Sequence, residues 1–175
     1  MIRAALALSL TLSGSQWAEA ACRQALALGL DVSGSIDARE YRLQLGGLAE
    51  ALDDPRLRDA LLARPGHHVD LMVYEWSGSG DQRVVLPWTP LRDAAALDNA
   101  ITLLRSTERR AASPGTALGD AMQFGAQQLA ARSDCRKHTL DVSGDGLSNF
   151  GPRPRDIRNS LQNPPLGPQE LTING

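Results

Sequence analysis

The sequence predicts an α/β fold built on a doubly wound, mostly parallel sheet with one antiparallel edge strand. Three observations carry that expectation. Apolar runs that end in turns alternate along the chain with segments of helical periodicity, the pattern of strands and crossover helices. The apolar runs are nearly continuous, as in strands whose two faces are both covered by helices. One pair of strands is joined by a short Gly/Ser turn, and the second of them contains Pro87, which is tolerated on an edge strand.

Taken in order, "ACRQALALGLDVS" is an apolar run closing on a turn and reads as the first strand. "IDAREYRLQLGGLAEAL" carries apolar residues at helical spacing, with Asp37 as N-cap and Glu40 as its capping-box partner. "HHVDLMVYEWSGSGDQRVVLPWTPL" reads as the hairpin that ends one side of the sheet. His67 and His68 are read as turn residues just before it, because neighbours on a strand point to opposite faces and cannot share a metal. Two helices follow, "DAAALDNAITLLRST" and "TALGDAMQFGAQQLAARS", separated by the breaker-rich "RRAASPG". "CRKHTLDVSGDG" repeats the form of the first strand, and "ELTING" supplies a last one.

The 175 residues, 42% hydrophobic and 22% charged, fit one domain with its own core. With 18 Lys and Arg against 20 Asp and Glu, the net charge of -2 leaves no basic excess for phosphates. Nucleic acid is not an expected partner. Residues 1–20, "MIRAALALSLTLSGSQWAEA", combine one Arg, a short apolar run and the small-residue pattern "AEA". They read as a cleaved export signal, leaving 22–175 as the mature domain in the periplasm or secreted. An N-terminal helix of the domain is the plain alternative. No run approaches the roughly 20 apolar residues of a membrane span.

The peptide "DVSG" occurs twice, in "LALGLDVSGSID" and in "KHTLDVSGDGLSN". In open α/β sheets the ligand lies outside the carboxyl ends of the strands, where strand order reverses. If the two strands are neighbours, their corners form two walls of one site. The first corner offers Asp31, Ser33 and Ser35, a carboxylate and two hydroxyls on alternate residues. Such hard oxygen donors favour Mg, with Mn or Ca as alternatives, over softer metals. In the second corner Asp141 and Asp145 are about 13 Å apart along a strand and cannot both reach one ion. Asp145, between two glycines where the chain leaves the strand, is the candidate. Singly these residues are ordinary caps; their joint placement favours a metal.

"DVSGS" resembles the D-x-S-x-S signature of the von Willebrand factor A-like fold and its metal-ion-dependent adhesion site. "SPGTALGDAM" and "SGDGLSN" follow in the order that site requires. "VYEWSGSGDQRVVLPW" with "DVSGDG.SN" is similar, more narrowly, to the bacterial exported family DUF1194. The resemblance implies that Asp31, Ser33 and Ser35 bind the metal and that Thr116 and Asp145 complete the ring, directly or through water. It further implies a non-enzymatic adhesion-type module in which a partner protein's Asp or Glu fills the open coordination position. The alternative is a hydrolase that uses the same ion to activate water. No His or unassigned acid stands in the site loops as its general base, and no P-loop, Rossmann fingerprint or nucleophile elbow is present.

Asp120 reads as a helix-dipole residue, with a role in supporting the metal ligands as the alternative. Trp76 and Trp88 read as packing residues, with Glu75 and Trp76 as an alternative lining for the ligand face. A complete A-type domain continues beyond "ELTING" with a further strand and helix, and the two prolines in "NSLQNPPLGPQ" stand where a helix is expected. The C-terminal edge therefore points to a truncated chain or to a covering partner. Cys22 and Cys135 each open a strand whose other end supplies the site. If those strands pair in parallel, the two meet at the bottom of the sheet as a disulfide. Two separate buried thiols, or a lipidated Cys22, are the alternatives.

Overall fold

The computed structural model describes residues 21–144, 146–162 and 170–175. Its elements are β1 (Ala21–Asp31), α1 (Ala38–Asp53), α2 (Pro55–Leu62), β2 (His67–Trp76), β3 (Gln82–Leu91), α3 (Ala94–Ser106), α4 (Leu118–Ala130), β4 (His138–Ser143), α5 (Pro154–Leu161) and β5 (Leu171–Asn174). The strands form one sheet in the order β3-β2-β1-β4-β5. β1 runs parallel to β2 and β4, β4 runs parallel to β5, and β3 alone is antiparallel, at the edge. This is the doubly wound, mostly parallel sheet expected from the pattern of apolar runs.

Side chains alternate across the two faces of the sheet. Val69, Leu71 and Val73 of β2 join Tyr41, Leu45, Leu97 and Leu104 in a core beneath α1 and α3. Met72, Tyr74 and Trp76 from the same strand join Ala121, Met122, Leu129 and Leu140 beneath α4. All of β2 after His67 is buried, so its apolar residues serve both faces and do not alternate with polar ones, while His68, Asp70 and Glu75 are buried in ion pairs. Small residues set the spacing of the second layer. A Cβ at Gly125 would stand 2.4 Å from Leu140 Cδ1 and 2.7 Å from the Tyr74 hydroxyl, so α4 approaches the sheet only because that position is glycine.

Local chemistry sets the helix starts. Asp37 accepts from the amides of Arg39 and Glu40, while Glu40 reaches back to the Asp37 amide. Those amide bonds hold the Asp37 carboxyl below its ordinary range. α2 and α5 are eight residues each, start at Pro55 and Pro154 and escape the periodicity reading because each supplies only two turns. α5 ends at Leu161; the double proline belongs to 163–169, outside the described residues.

His67 and His68 are not turn residues: they open β2. His68 is buried with its Nε2 3.1 Å from Asp70 Oδ1. The turn that "RPGHH" implied closes one residue earlier, at Pro65–Gly66, where His67 N donates to the Arg64 carbonyl at 2.9 Å, and the fully buried Asp70 carboxylate takes a second partner in Arg132. Cys22 and Cys135 are joined in a disulfide with Cα atoms 4.5 Å apart, at the opposite end of the sheet from the "DVSG" corners.

Candidate metal centre

Asp31 is the last residue of β1, and its neighbour Leu30 pairs with Ser143 at the end of β4. The parallel pairing therefore brings both "DVSG" corners to one end of the sheet, side by side. Asp31 is 1% exposed and its Oδ1 accepts from the Ser33 amide at 2.8 Å. Ser33 is equally buried, and its carbonyl accepts from Ile36 N at 3.0 Å, closing the turn into α1. Ser35 stands exposed at the tip of that turn. A Cβ at Gly144 would lie 3.2 Å from Asp31 Oδ2 and 3.1 Å from the Trp76 ring. A side chain at that position would crowd the approach of the second corner to the first carboxylate.

Thr116, 7% exposed, enters from the loop before α4. Its amide donates to Asn149 Oδ1 at 2.9 Å, and its carbonyl accepts from Asn149 N at 2.9 Å and Phe150 N at 3.2 Å. A Cβ at Gly146 would lie 3.9 Å from Thr116 Oγ1. Asp145 itself lies outside the described residues; its flanking glycines stand against Asp31 on one side and Thr116 on the other. The first corner meets the Thr116 loop as well, where a Cβ at Gly34 would come 2.9 Å from Pro114 Cα. The loop that carries Asp31, Ser33 and Ser35 and the loop that carries Thr116 therefore meet at one end of the sheet.

A latch holds the Thr116 loop, and sequence reasoning missed it. Asp81, in the turn between β2 and β3, accepts from Ser77 Oγ at 2.5 Å, the Ser113 amide at 2.8 Å and Arg110 at 2.8 Å. Ala117 N also donates to the Ser77 carbonyl at 2.8 Å. The Ser77 bond first, then the Ser113 amide, hold the Asp81 carboxyl below the ordinary carboxylate range, and Arg110 adds to the effect. The available signal was the Asp that closes "SGSGD", read only as a Gly/Ser turn.

Glu75 and Trp76 do not line an open ligand face. Both are 1% exposed; Glu75 accepts from the Tyr41 hydroxyl and pairs with Arg83 Nε at 3.1 Å, while Trp76 belongs to the core under α4. Burial, then the Glu75 bond, pushes the Tyr41 hydroxyl up. Asp120 sits in the first turn of α4 and accepts from Ser79 Oγ. At the opposite end of the sheet Cys22, Cys135 and Asp70 bring potential ligand atoms within 4.8 Å of one another. Their sulfurs are bonded to each other and present no thiolate to a metal. Among the described residues these loops offer oxygen donors, the Asp31 carboxylate and the neutral hydroxyls of Ser33, Ser35 and Thr116, a set that fits a divalent cation.

No curated protein matches the chain in sequence. Among solved structures, it resembles proximal thread matrix protein 1 from the mussel byssus with a zinc-occupied MIDAS motif, at TM-score 0.64 and 15% identity over 89% of this chain and 38% of that one. It resembles a von Willebrand factor type A protein from Catenulispora acidiphila at TM-score 0.57 and 18% identity, covering 86% of this chain and 32% of that one. An aerotolerance-related membrane protein from Bacteroides fragilis is similar at TM-score 0.54 and 15% identity, over 85% and 64% of the two chains. The chain thus spans under two fifths of the length of the first two, and the likeness is one of fold. Among the described residues no helix is long and apolar enough to cross a membrane. The family model described as "Protein of unknown function (DUF1194)" matches residues 21–175, and the chain belongs to that family, on a von Willebrand factor A-like fold.

Proposed function

We propose that this domain is a metal-dependent, non-enzymatic protein-binding module that docks a carboxylate of a partner protein on a divalent cation. The observation that supports it is the meeting of two loops at one end of the sheet, Asp31 and Ser33 buried in one and Thr116 in the other, with oxygen donors only. In this reading Asp31, Ser33, Ser35, Thr116 and Asp145 hold the ion, some through water. Mg or Mn is the preferred occupant and Ca the alternative, because these ions take oxygen ligands. The ion supplies a fixed positive charge at a position the protein leaves open, and a partner Asp or Glu completes its shell. The mussel protein with a zinc-occupied MIDAS motif lends the reading support by its similar fold. An exported setting accords with the disulfide, which persists where the environment is oxidising.

Calorimetric titration of Mg and Mn into the wild-type chain and Asp31→Ala tests the site. The wild type is expected to bind and the variant to lose binding while keeping its circular dichroism, with a melting temperature in EDTA lowered by no more than the lost Ser33 amide bond accounts for, about 1 to 3 kcal/mol. At a hundred times Kd, the ion should stabilise the wild type by about 2.7 kcal/mol, or about 8 °C for a chain of this size. Equal metal affinity in the two proteins refutes the site.

A further inference from the structure

The loop that leaves β4 carries two apolar side chains that the fold does not bury. Leu147 is 92% exposed, the most exposed of the large apolar residues described, and Phe150 is 58% exposed. Single exposed apolar residues are ordinary. This pair differs in being three residues apart in one short loop that is itself bonded to Thr116. Asn149 N and Phe150 N both donate to the Thr116 carbonyl, and Ser148 Oγ reaches it at 3.3 Å. The Phe150 ring lies against the adjacent backbone, since a Cβ at Gly115 would stand 2.6 Å from its Cδ2. Phe150 is therefore held at a set position beside the candidate metal, and Leu147 is tethered to it through the anchored Ser148 and Asn149.

One arginine stands on the opposite flank of the rim, with the Asp37 carboxylate near enough to feel its charge. Arg109 donates to the Ile36 carbonyl at 2.8 Å, which plants a guanidinium beside the turn that carries Ser33 and Ser35. A ligand seated on the ion thus meets a guanidinium on one side and apolar surface on the other. Building on the reading of the site above, the geometry points to a partner peptide in which the metal-seeking Asp or Glu stands within about two residues of a bulky apolar side chain, packed on Leu147 and Phe150. An acidic residue set in a wholly polar stretch would satisfy the ion and the arginine yet leave Leu147 in water. A lipid surface fits less well, because two apolar side chains bury too little area to anchor a protein to a bilayer.

A phage-displayed random heptapeptide library, panned on the immobilised full chain in Mn and eluted with EDTA, tests this. Enriched sequences are expected to pair an acid with Leu, Phe, Met or Trp, and a synthetic peptide of the consensus should bind Leu147→Ser about tenfold more weakly. Leu147 is so exposed that this variant should fold and bind Mn as the wild type does. Phe150→Ala should act in the same direction. Enriched peptides with acids but no apolar bias, or equal binding by Leu147→Ser, overturn the inference and leave the metal reading standing. Mn binding by calorimetry with no EDTA-eluted peptides does the same. Absence of Mn binding brings down the metal reading and this inference with it. Cosedimentation with anionic phosphatidylglycerol vesicles in EDTA, lost in Leu147→Ser, would assign the surface to a membrane and overturn the peptide.

Discussion

Replacing Cys22 and Cys135 together by Ala removes a crosslink between residues 113 positions apart, joining the start of β1 to the turn before β4. On the chain-entropy model, a loop of that length costs the unfolded chain about 16 cal/mol/K, or about 4.8 kcal/mol at 25 °C. A chain of this size loses about 2 to 4 °C of melting temperature per kcal/mol. The double variant should therefore melt about 10 to 19 °C below the oxidised wild type. Both sulfurs are buried, at 3% and 4% exposure, so the small cavity left behind adds to the loss. The native fold should nonetheless persist. Ala25 N donates to the Lys137 carbonyl at 2.8 Å and Arg136 N to the Cys22 carbonyl at 3.2 Å, which keeps the two segments side by side without the bridge. Nine residues of strand, about 30 Å, separate Cys22 from Asp31, so Mn affinity should stay within about twofold. Differential scanning calorimetry, with calorimetric titration on the same samples, supplies both readouts. A melting point lowered by less than about 5 °C would refute the entropic argument, and a large loss of Mn affinity would refute the independence of the two ends.

Gly125→Ala and Gly47→Ala should differ in sign. The first drives a Cβ into Leu140 and Tyr74 and should destabilise by about 1 to 3 kcal/mol before a helix-propensity gain of about 1. The second adds a methyl to an exposed position of α1 with nothing within 4 Å, and should stabilise by about 0.5 to 1 kcal/mol in urea unfolding. Asp81→Ala should free the Thr116 loop, weaken Mn binding at neutral pH, read by calorimetry, and lower the melting point in EDTA by a few degrees, because three hydrogen bonds to the carboxylate are lost. In the wild type the depressed Asp81 pKa means that the carboxylate's contribution is complete above the unfolded value of about 3.9 and is lost as pH falls through the lower folded one. The Ser113 amide resonance should then shift only below about pH 4; a shift centred near pH 6 contradicts the latch.

Much of the fold was legible in the chain because it rests on local pattern. The continuous apolar runs of β1 and β2 announce strands covered on both sides, and Asp37 with Glu40 announces the start of α1, since a capping box involves only neighbouring residues. The short helices α2 and α5 were not legible, because two turns give too few repeats to establish a period. For the candidate site, the sequence by itself determined the donor chemistry: the acid and hydroxyls of "DVSGS" specify hard oxygen ligands wherever the chain carries them. Only the tertiary structure decided which groups meet. Leu30 opposite Ser143 sets the two "DVSG" corners side by side, Asn149 ties the Thr116 loop to the second corner, and Asp81 braces it from the hairpin 32 residues before Ser113. It also decided that His68 and Asp70 pair in the interior, that Glu75 pairs with Tyr41 and Arg83, and that Trp76 is buried behind Gly144 instead of lining an open face. These outcomes depend on register, on side-chain direction and on close approaches at Gly34 and Gly144. Residue type and spacing along the chain carry no record of them, because each is a contact between segments that only the folded sheet brings together.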